Sequence, residues 1–286
     1  MFGAGARPAH NLQFVSVVTA RVVFLVYALV AAPVVAQPVD TTKVSTAPLF
    51  TARDLWVAGG FALATVALYP ADRSLARSIR REPLQNNHFL NESADVFDFM
   101  GTKGSVYIGT SMYVVGRLAG IERLADLGLH GTESLFLAQA LVKLVKGLAG
   151  SARPQVNIED PRSFKLGRGF NDRDNYRSFP SGHAGMAFAA AAAVTSETSM
   201  WWPKSTWYIA PIMYGGAMLV AISRMYDNRH WASDVVMGAA IGTFSGLKIV
   251  RYHHSHPNNR VDRWLLSTSV VPDGRGAMLI VVHVQR

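Results

Sequence analysis

The sequence predicts an all-α fold, a six-helix bundle with a short β-hairpin at its C-terminal end. Three observations lead there. Six segments between residues 55 and 250 are apolar or repeat apolar residues at helical spacing. Hydrophobic residues make up 50% of the 286 and charged residues only 16%, against about a quarter in ordinary soluble domains. β-type patterning is confined to the tail.

In order, Leu55–Ala71 is charge-free and apolar, and Asp95–Leu118 is mixed, with an apolar stretch from Val106. Glu133–Leu148 repeats Leu135, Leu137, Leu141, Leu144 and Val145 on a helical period. His183–Ser196 is rich in alanine, the strongest helix former. Trp207–Arg224 is long and apolar. Trp231–Val250 carries Gly238, Ala239, Ala240 and Gly242, small residues that permit close helix contact. Leu265–Val271 and Ala277–Val284 flank Pro272-Asp273-Gly274-Arg275-Gly276 and read as two strands around a turn. The charge-free runs Leu55–Ala71 and Thr206–Ser223 sit near the lower limit of about 17 residues for crossing a bilayer. A spanning helix and a buried helix of a soluble bundle both fit them.

Residues 1–36 hold no acid and two arginines, Arg7 and Arg21, followed by the apolar run Val22–Ala32 and small residues up to Ala36. This reads as a secretory signal peptide cut after Ala36; an uncleaved anchor is the alternative, though the run is short for one. Residues 37–53 are Pro/Thr/Ser-rich and read as a linker, 54–252 as the helical domain and 260–286 as the hairpin. The expected location is the periplasm or the outer face of a cytoplasmic membrane. Gln155–Ser178 is a long polar loop with five basic residues, Arg162, Lys165, Arg168, Arg173 and Arg177, and a loop of that length is usually functional.

Cysteine is absent, which excludes disulfides, thiolate metal sites and a cysteine nucleophile. The 28 Lys+Arg against 19 Asp+Glu give a net charge of +9, which attracts phosphate on a lipid, a nucleic acid or a small substrate. No nucleic-acid-binding motif accompanies the charge, so a nucleic-acid partner is not expected.

Three segments carry candidate chemistry. Lys146 and Arg153 are seven apart, two helical turns, and Pro154 is expected to end the helix at Arg153. Pro180-Ser181-Gly182-His183 opens the alanine-rich helix: Ser181 is a natural N-cap and Gly182 lets a ligand approach the backbone. The free N–H groups and the helix dipole there make an anion seat, with His183 beside it. Ser223-Arg224 and His230–Asp234 follow; a carboxylate four residues from an imidazole can fix its tautomer and raise the basicity of the free nitrogen. Together they offer three cations, a backbone anion seat, a nucleophile and a proton donor, the parts needed to capture a phosphoryl group without metal.

These segments resemble the three signatures of the type 2 phosphatidic acid phosphatase (PAP2) and vanadium haloperoxidase superfamily, K-x6-RP, PSGH and SR-x5-H-x3-D. All eleven specified positions match in order, and the resemblance covers roughly Leu55–Val250. It implies a helical bundle and a phosphatase acting on a phosphate monoester or pyrophosphate of a lipid, with membrane association. In that reading His230 attacks phosphorus to form a phosphohistidine, Asp234 holds His230, and His183 protonates the leaving oxygen and then activates water. Lys146, Arg153, Ser181, Gly182 and Arg224 bind the phosphate, and no metal or other cofactor is implied. Three rivals remain at this level: a vanadium-dependent haloperoxidase using the same pocket, a soluble periplasmic non-specific acid phosphatase, and a phospholipid-binding protein without activity.

His253-His254-x-His256 offers imidazoles that could bind metal, but reads as a solvated basic turn, since no carboxylate or fourth ligand lies beside it in sequence. Trp201, Trp202 and Trp207 fit either a membrane–water boundary or a packed corner. Arg73, Arg77, Arg80 and Arg81 form a basic face suited to anionic headgroups or to plain solvent.

Overall fold

The computed structural model describes residues 48–171, 174–257, 259–266, 268–272 and 278–282. The signal segment, most of the linker, Arg173 and the turn of the hairpin lie outside the described residues. The longer helices are α1 (Ala52–Ile79), α2 (His88–Phe99), α3 (Ser105–Ala119), α4 (Glu122–Ala149), α5 (Gly182–Trp201), α6 (Thr206–Tyr226), α7 (Ala232–Ser255) and α8 (Arg260–Leu265). Strands β1 (Thr268–Pro272) and β2 (Met278–Val282) pair antiparallel, with Val270 opposite Ile280.

Helix α5 is the axis of the bundle. Its alanines Ala184, Ala189, Ala191, Ala192 and Ala193 are fully buried, so apolar contact surrounds it on all sides. The small side chains let α7 come within backbone contact. A Cβ on Gly238 would stand 2.3 Å from the Ser181 carbonyl, and one on Gly242 would stand 2.1 Å from that of Gly185. Gly246 repeats the pattern against Ala189, which extends the expected small-residue stripe by one turn.

Helix α1 packs Phe61, Ala64, Leu68 and Leu75 into this core, with Phe188, Tyr214 and Ala239 among its neighbours. Its start is fixed by Asp54, which accepts from the Thr51 amide at 2.6 Å and from Lys248 of α7 at 2.5 Å. The helix runs on through Pro70 to Ile79, eight residues beyond the apolar stretch. Arg73 and Arg77 are therefore part of α1 and pair with Glu159. Helices α2 and α3 form one continuous rod through a five-residue π-helical turn, Met100–Gly104, so the segment expected from Asp95 begins at His88.

One expectation is overturned at α4. The helix ends at Ala149 and not at Arg153, because Gly150 takes a left-handed conformation, φ +53, where a Cβ would stand 2.3 Å from the Lys165 carbonyl. Lys146 and Arg153 thus do not share a helix face.

Among the described residues, three helices, Ala52–Ile79, Pro203–Tyr226 and Ala232–Ser255, are long and apolar enough to cross a membrane. The outward surfaces of the first two are apolar: Leu55, Trp56, Leu63 and Val66 on α1 and Trp207, Ile212, Leu219 and Ile222 on α6 are exposed.

Candidate active site

The ends of four helices converge at one pole of the bundle. Helix α4 brings Lys146 in its last turn, α5 begins at Gly182, α6 brings Arg224 in its last turn, and α7 begins two residues after His230. Ser181 is the N-cap of α5, its Oγ accepting from the Ala184 amide at 3.4 Å. The Ser181 amide donates to the Asp234 carbonyl at 2.8 Å, which ties the start of α5 to the start of α7. A Cβ on Gly182 would come within 3.2 Å of Gln139 Oε1 and 3.8 Å of Lys146 Cε, so this helix start lies close against α4.

Lys146 is buried and donates to the carbonyls of Arg177 at 2.5 Å and Ser178 at 3.1 Å, which leaves one of its three N–H bonds for a ligand. Arg153 sits in the loop after α4, with Nη2 3.4 Å from Asp174 Oδ1. Arg224 is buried and gives Nη1 to Asp98 and Nη2 to Asp227. His183 is the more accessible imidazole; its Nε2 lies 2.8 Å from Asp98 Oδ1.

His230 precedes α7, and its Nδ1 faces Asp234 Oδ2 at 3.5 Å without a hydrogen bond. The same oxygen accepts from Ser178 Oγ at 2.5 Å and from the Trp231 amide at 2.9 Å. Asp234 therefore caps α7 as well as facing the imidazole. From α1, buried Asp72 accepts from the Ser233 amide at 3.0 Å and from Ser233 Oγ at 2.5 Å, which fixes the same helix start from its other side. Trp231 is locked by its indole N–H to the Ala152 carbonyl at 2.9 Å.

The charges act on one another. Burial, and then the charges of Lys146, Arg153, His183 and Arg224, push His230 well below the usual imidazole range, so it is neutral with a free lone pair. Burial, and then Arg224, lower His183 to about 4 against the pull of Asp98. Burial, and then Arg153, lower Lys146 to about 7. Positive groups crowded in this way around neutral imidazoles suit an anion.

The structure thus brings all eight sequence-derived candidates to one pole: Lys146, Arg153, Ser181, Gly182, His183, Arg224, His230 and Asp234. Reading the sequence missed Asp98, Ser178, Asp227 and Asp72. Asp98 sits just before the π-helical turn, a feature often found at functional sites. Gly101 within that turn packs against His183, where a Cβ would stand 3.3 Å from its Cβ. Nothing in the local sequence marks Asp98, because it reaches the site from a distant helix.

The histidine segment at the end of α7 needs a correction. His253 is buried between Asp262 and Glu133, and His254, though exposed, meets Glu197; His256 is exposed as well. The carboxylates absent nearby in sequence arrive from α4, α5 and α8.

Residues 128–257, which hold all eleven signature positions, match the model of the PAP2 superfamily, so the resemblance read in the signatures holds over that range. An 83-residue stretch is 41% identical to the lipid A 1-phosphatase of Porphyromonas gingivalis; it spans 29% of this chain and 18% of that protein. A 167-residue stretch is 26% identical to the undecaprenyl-diphosphatase of Sulfolobus acidocaldarius, covering 58% of this chain and 74% of that one. The fold is similar to the crystal structure of a PAP2-type phosphatidylglycerolphosphate phosphatase from Bacillus subtilis, with a TM-score of 0.52 at 20% identity, over 73% of this chain and 99% of that one.

Proposed function

We propose that the chain is a phosphoric ester hydrolase that removes phosphate from a lipid phosphate monoester or pyrophosphate at a membrane. The observation that carries this reading is the gathering of Lys146, Arg153, Arg224 and the α5 N-terminus around two imidazoles held neutral by burial and by those cations. A phosphate dianion supplies the missing negative charge. The likeness to named lipid phosphatases supports a lipid substrate, and the three apolar helices support membrane association.

In the proposed mechanism the phosphate displaces Asp98 from Arg224 and His183. It binds Arg224, Arg153, the third Lys146 N–H and the amides at Gly182. His230, oriented through Nδ1 toward Asp234, attacks phosphorus with Nε2. An N–P bond forms as the P–O bond to the leaving group breaks. His183, protonated once the dianion sits beside it, gives its proton to the departing oxygen. In the second half, neutral His183 takes a proton from water, the resulting hydroxide attacks phosphorus, and the N–P bond breaks to release phosphate. The cations stabilise charge on the equatorial oxygens in both steps. The site is proposed to face the exported side of the membrane, in keeping with the signal segment.

The test is phosphate release by the purified protein in detergent, without added metal, from phosphatidic acid, a polyprenyl pyrophosphate, lipid A and a soluble ester. Release from one of the lipids above the soluble ester, lost in His230→Ala, is the expected result. Equal rates with His230→Ala would refute the assignment.

A further inference from the structure

The opposite pole of the bundle holds a second cluster with its own chemistry. His130 lies sixteen residues before Lys146 on α4, on the order of 24 Å away along the helix axis. Its Nδ1 pairs with Oε1 of Glu197 on α5, and Oε2 of Glu197 lies 2.9 Å from Nε2 of His254 on α7. We propose that His130, Glu197 and His254 form a binding site for a divalent transition metal of the zinc class, clamping the distal ends of three core helices.

Four features support this. The three ligand atoms lie within 4.8 Å of one another, although the residues come from three helices. The His130 and His254 rings are edge to face, at 81°, so their nitrogens approach the Glu197 carboxylate from two directions. Two imidazoles and a carboxylate, without a thiolate, suit zinc better than the oxygen-seeking calcium or magnesium. His254 is 37% exposed while Glu197 and His130 are buried, which gives an entry path and room for water as a fourth ligand.

The surroundings supply the outer support that metal-bound histidines need. Nε2 of His130 is buried without a hydrogen bond and faces Asp262 Oδ1 at 3.7 Å. Asp262 is held by His253 at 2.6 Å and by Asn259 at 2.5 Å, and His253 is held in turn by Glu133 at 2.6 Å. With a metal on Nδ1, the proton of His130 sits on Nε2 and points at Asp262, as the second nitrogen of a liganding histidine commonly does. A second grouping, His130, His253 and Asp262, is equally close. Its two rings stack at 25° with centroids 4.0 Å apart, so their lone pairs run side by side and do not converge. His253 and Asp262 therefore belong to the outer support.

The experiment uses tag-free full-length protein in detergent, stripped with chelator and returned to metal-free buffer. Zinc is titrated by calorimetry, and cobalt(II) is added in parallel to report coordination by absorption. One zinc per chain is expected, together with the intense visible bands of four-coordinate cobalt. His254→Ala, an exposed position, should weaken binding at least tenfold, and Asp262→Asn should weaken it by about tenfold or more. His256→Ala and His230→Ala should bind as the wild type does, which separates this site from a solvated histidine tail and from the catalytic pole. Absence of stoichiometric zinc, unchanged affinity in His254→Ala, or loss of binding in His230→Ala would each overturn the proposal.

Discussion

Asp98 Oδ1 lies 2.8 Å from His183 Nε2 while the same carboxylate accepts from Arg224. One acid thereby occupies two groups that the proposed mechanism assigns to phosphate. Asp98 comes from α2 and its side chain is partly exposed, and the proposed mechanism has an incoming phosphate displace it.

Removing that competing charge has a direct consequence. In Asp98→Asn, inhibition by inorganic phosphate should tighten by about tenfold, equivalent to ~1.4 kcal/mol. The inhibition constant of phosphate, measured beside the wild type, checks this. Weaker inhibition would mean that Asp98 supports anion binding and does not compete with it.

In the proposed mechanism Lys146 sets the alkaline limit. Burial and then Arg153 lower its ammonium to about 7, and the charged form is the one proposed to bind phosphate. In the free enzyme kcat/KM should therefore fall as pH rises through about 7, since kcat/KM reports groups of the unliganded protein. Lys146→Arg keeps its charge and should shift that fall to higher pH. Lys146→Ala should lose about 2–4 kcal/mol of transition-state stabilisation, as on removal of one oxyanion donor. Rates over the pH range for the three proteins supply the check.

The packing of α7 on α5 sets the position of the proposed anion seat. Gly238→Ala places a methyl group 2.3 Å from the Ser181 carbonyl, so the start of α5 must shift. Overpacking of this kind costs about 1–3 kcal/mol, and activity should fall further than the melting temperature implies. Gly59→Ala, inside α1 where a Cβ meets nothing within 4 Å, is the control: it should keep activity and, if anything, raise the melting temperature.

Asp72 holds the start of α7 through Ser233. Asp72→Ala leaves buried donors unpaired and should destabilise the fold by about 1–3 kcal/mol. Thermal melting measures the loss, and phosphatase rates should drop with it because His230 and Asp234 flank the same helix start.

Much of this was legible in the sequence because the site is built from helix termini. Lys146, Ser181, Gly182, Arg224 and His230 sit beside caps, glycines and prolines that mark those termini locally. The small residues Gly238, Ala239, Ala240 and Gly242 of α7 announced a close helix contact, because residue size is read directly from the sequence. Asp98, Asp72 and Glu197 were not legible: each lies in an unremarkable helical stretch and gains its meaning from a partner 85 or more residues away or, for Asp72 and Glu197, 161 and 57 to 67 residues away. The end of α4 was misplaced because Pro154 is the louder signal, while Gly150 makes the turn. His253 read as solvated, and His254 as unpaired, because their carboxylates come from other helices.

The central claim is that His230 carries the phosphoryl group between the two half-reactions. Alkaline quench of the enzyme during turnover, followed by mass spectrometry of its peptides, tests it most directly. A phosphoryl adduct on the His230 imidazole, absent from His230→Ala, is the predicted result. An adduct on any other residue, or turnover with none trapped at His230 under conditions that preserve phosphohistidine, would contradict it.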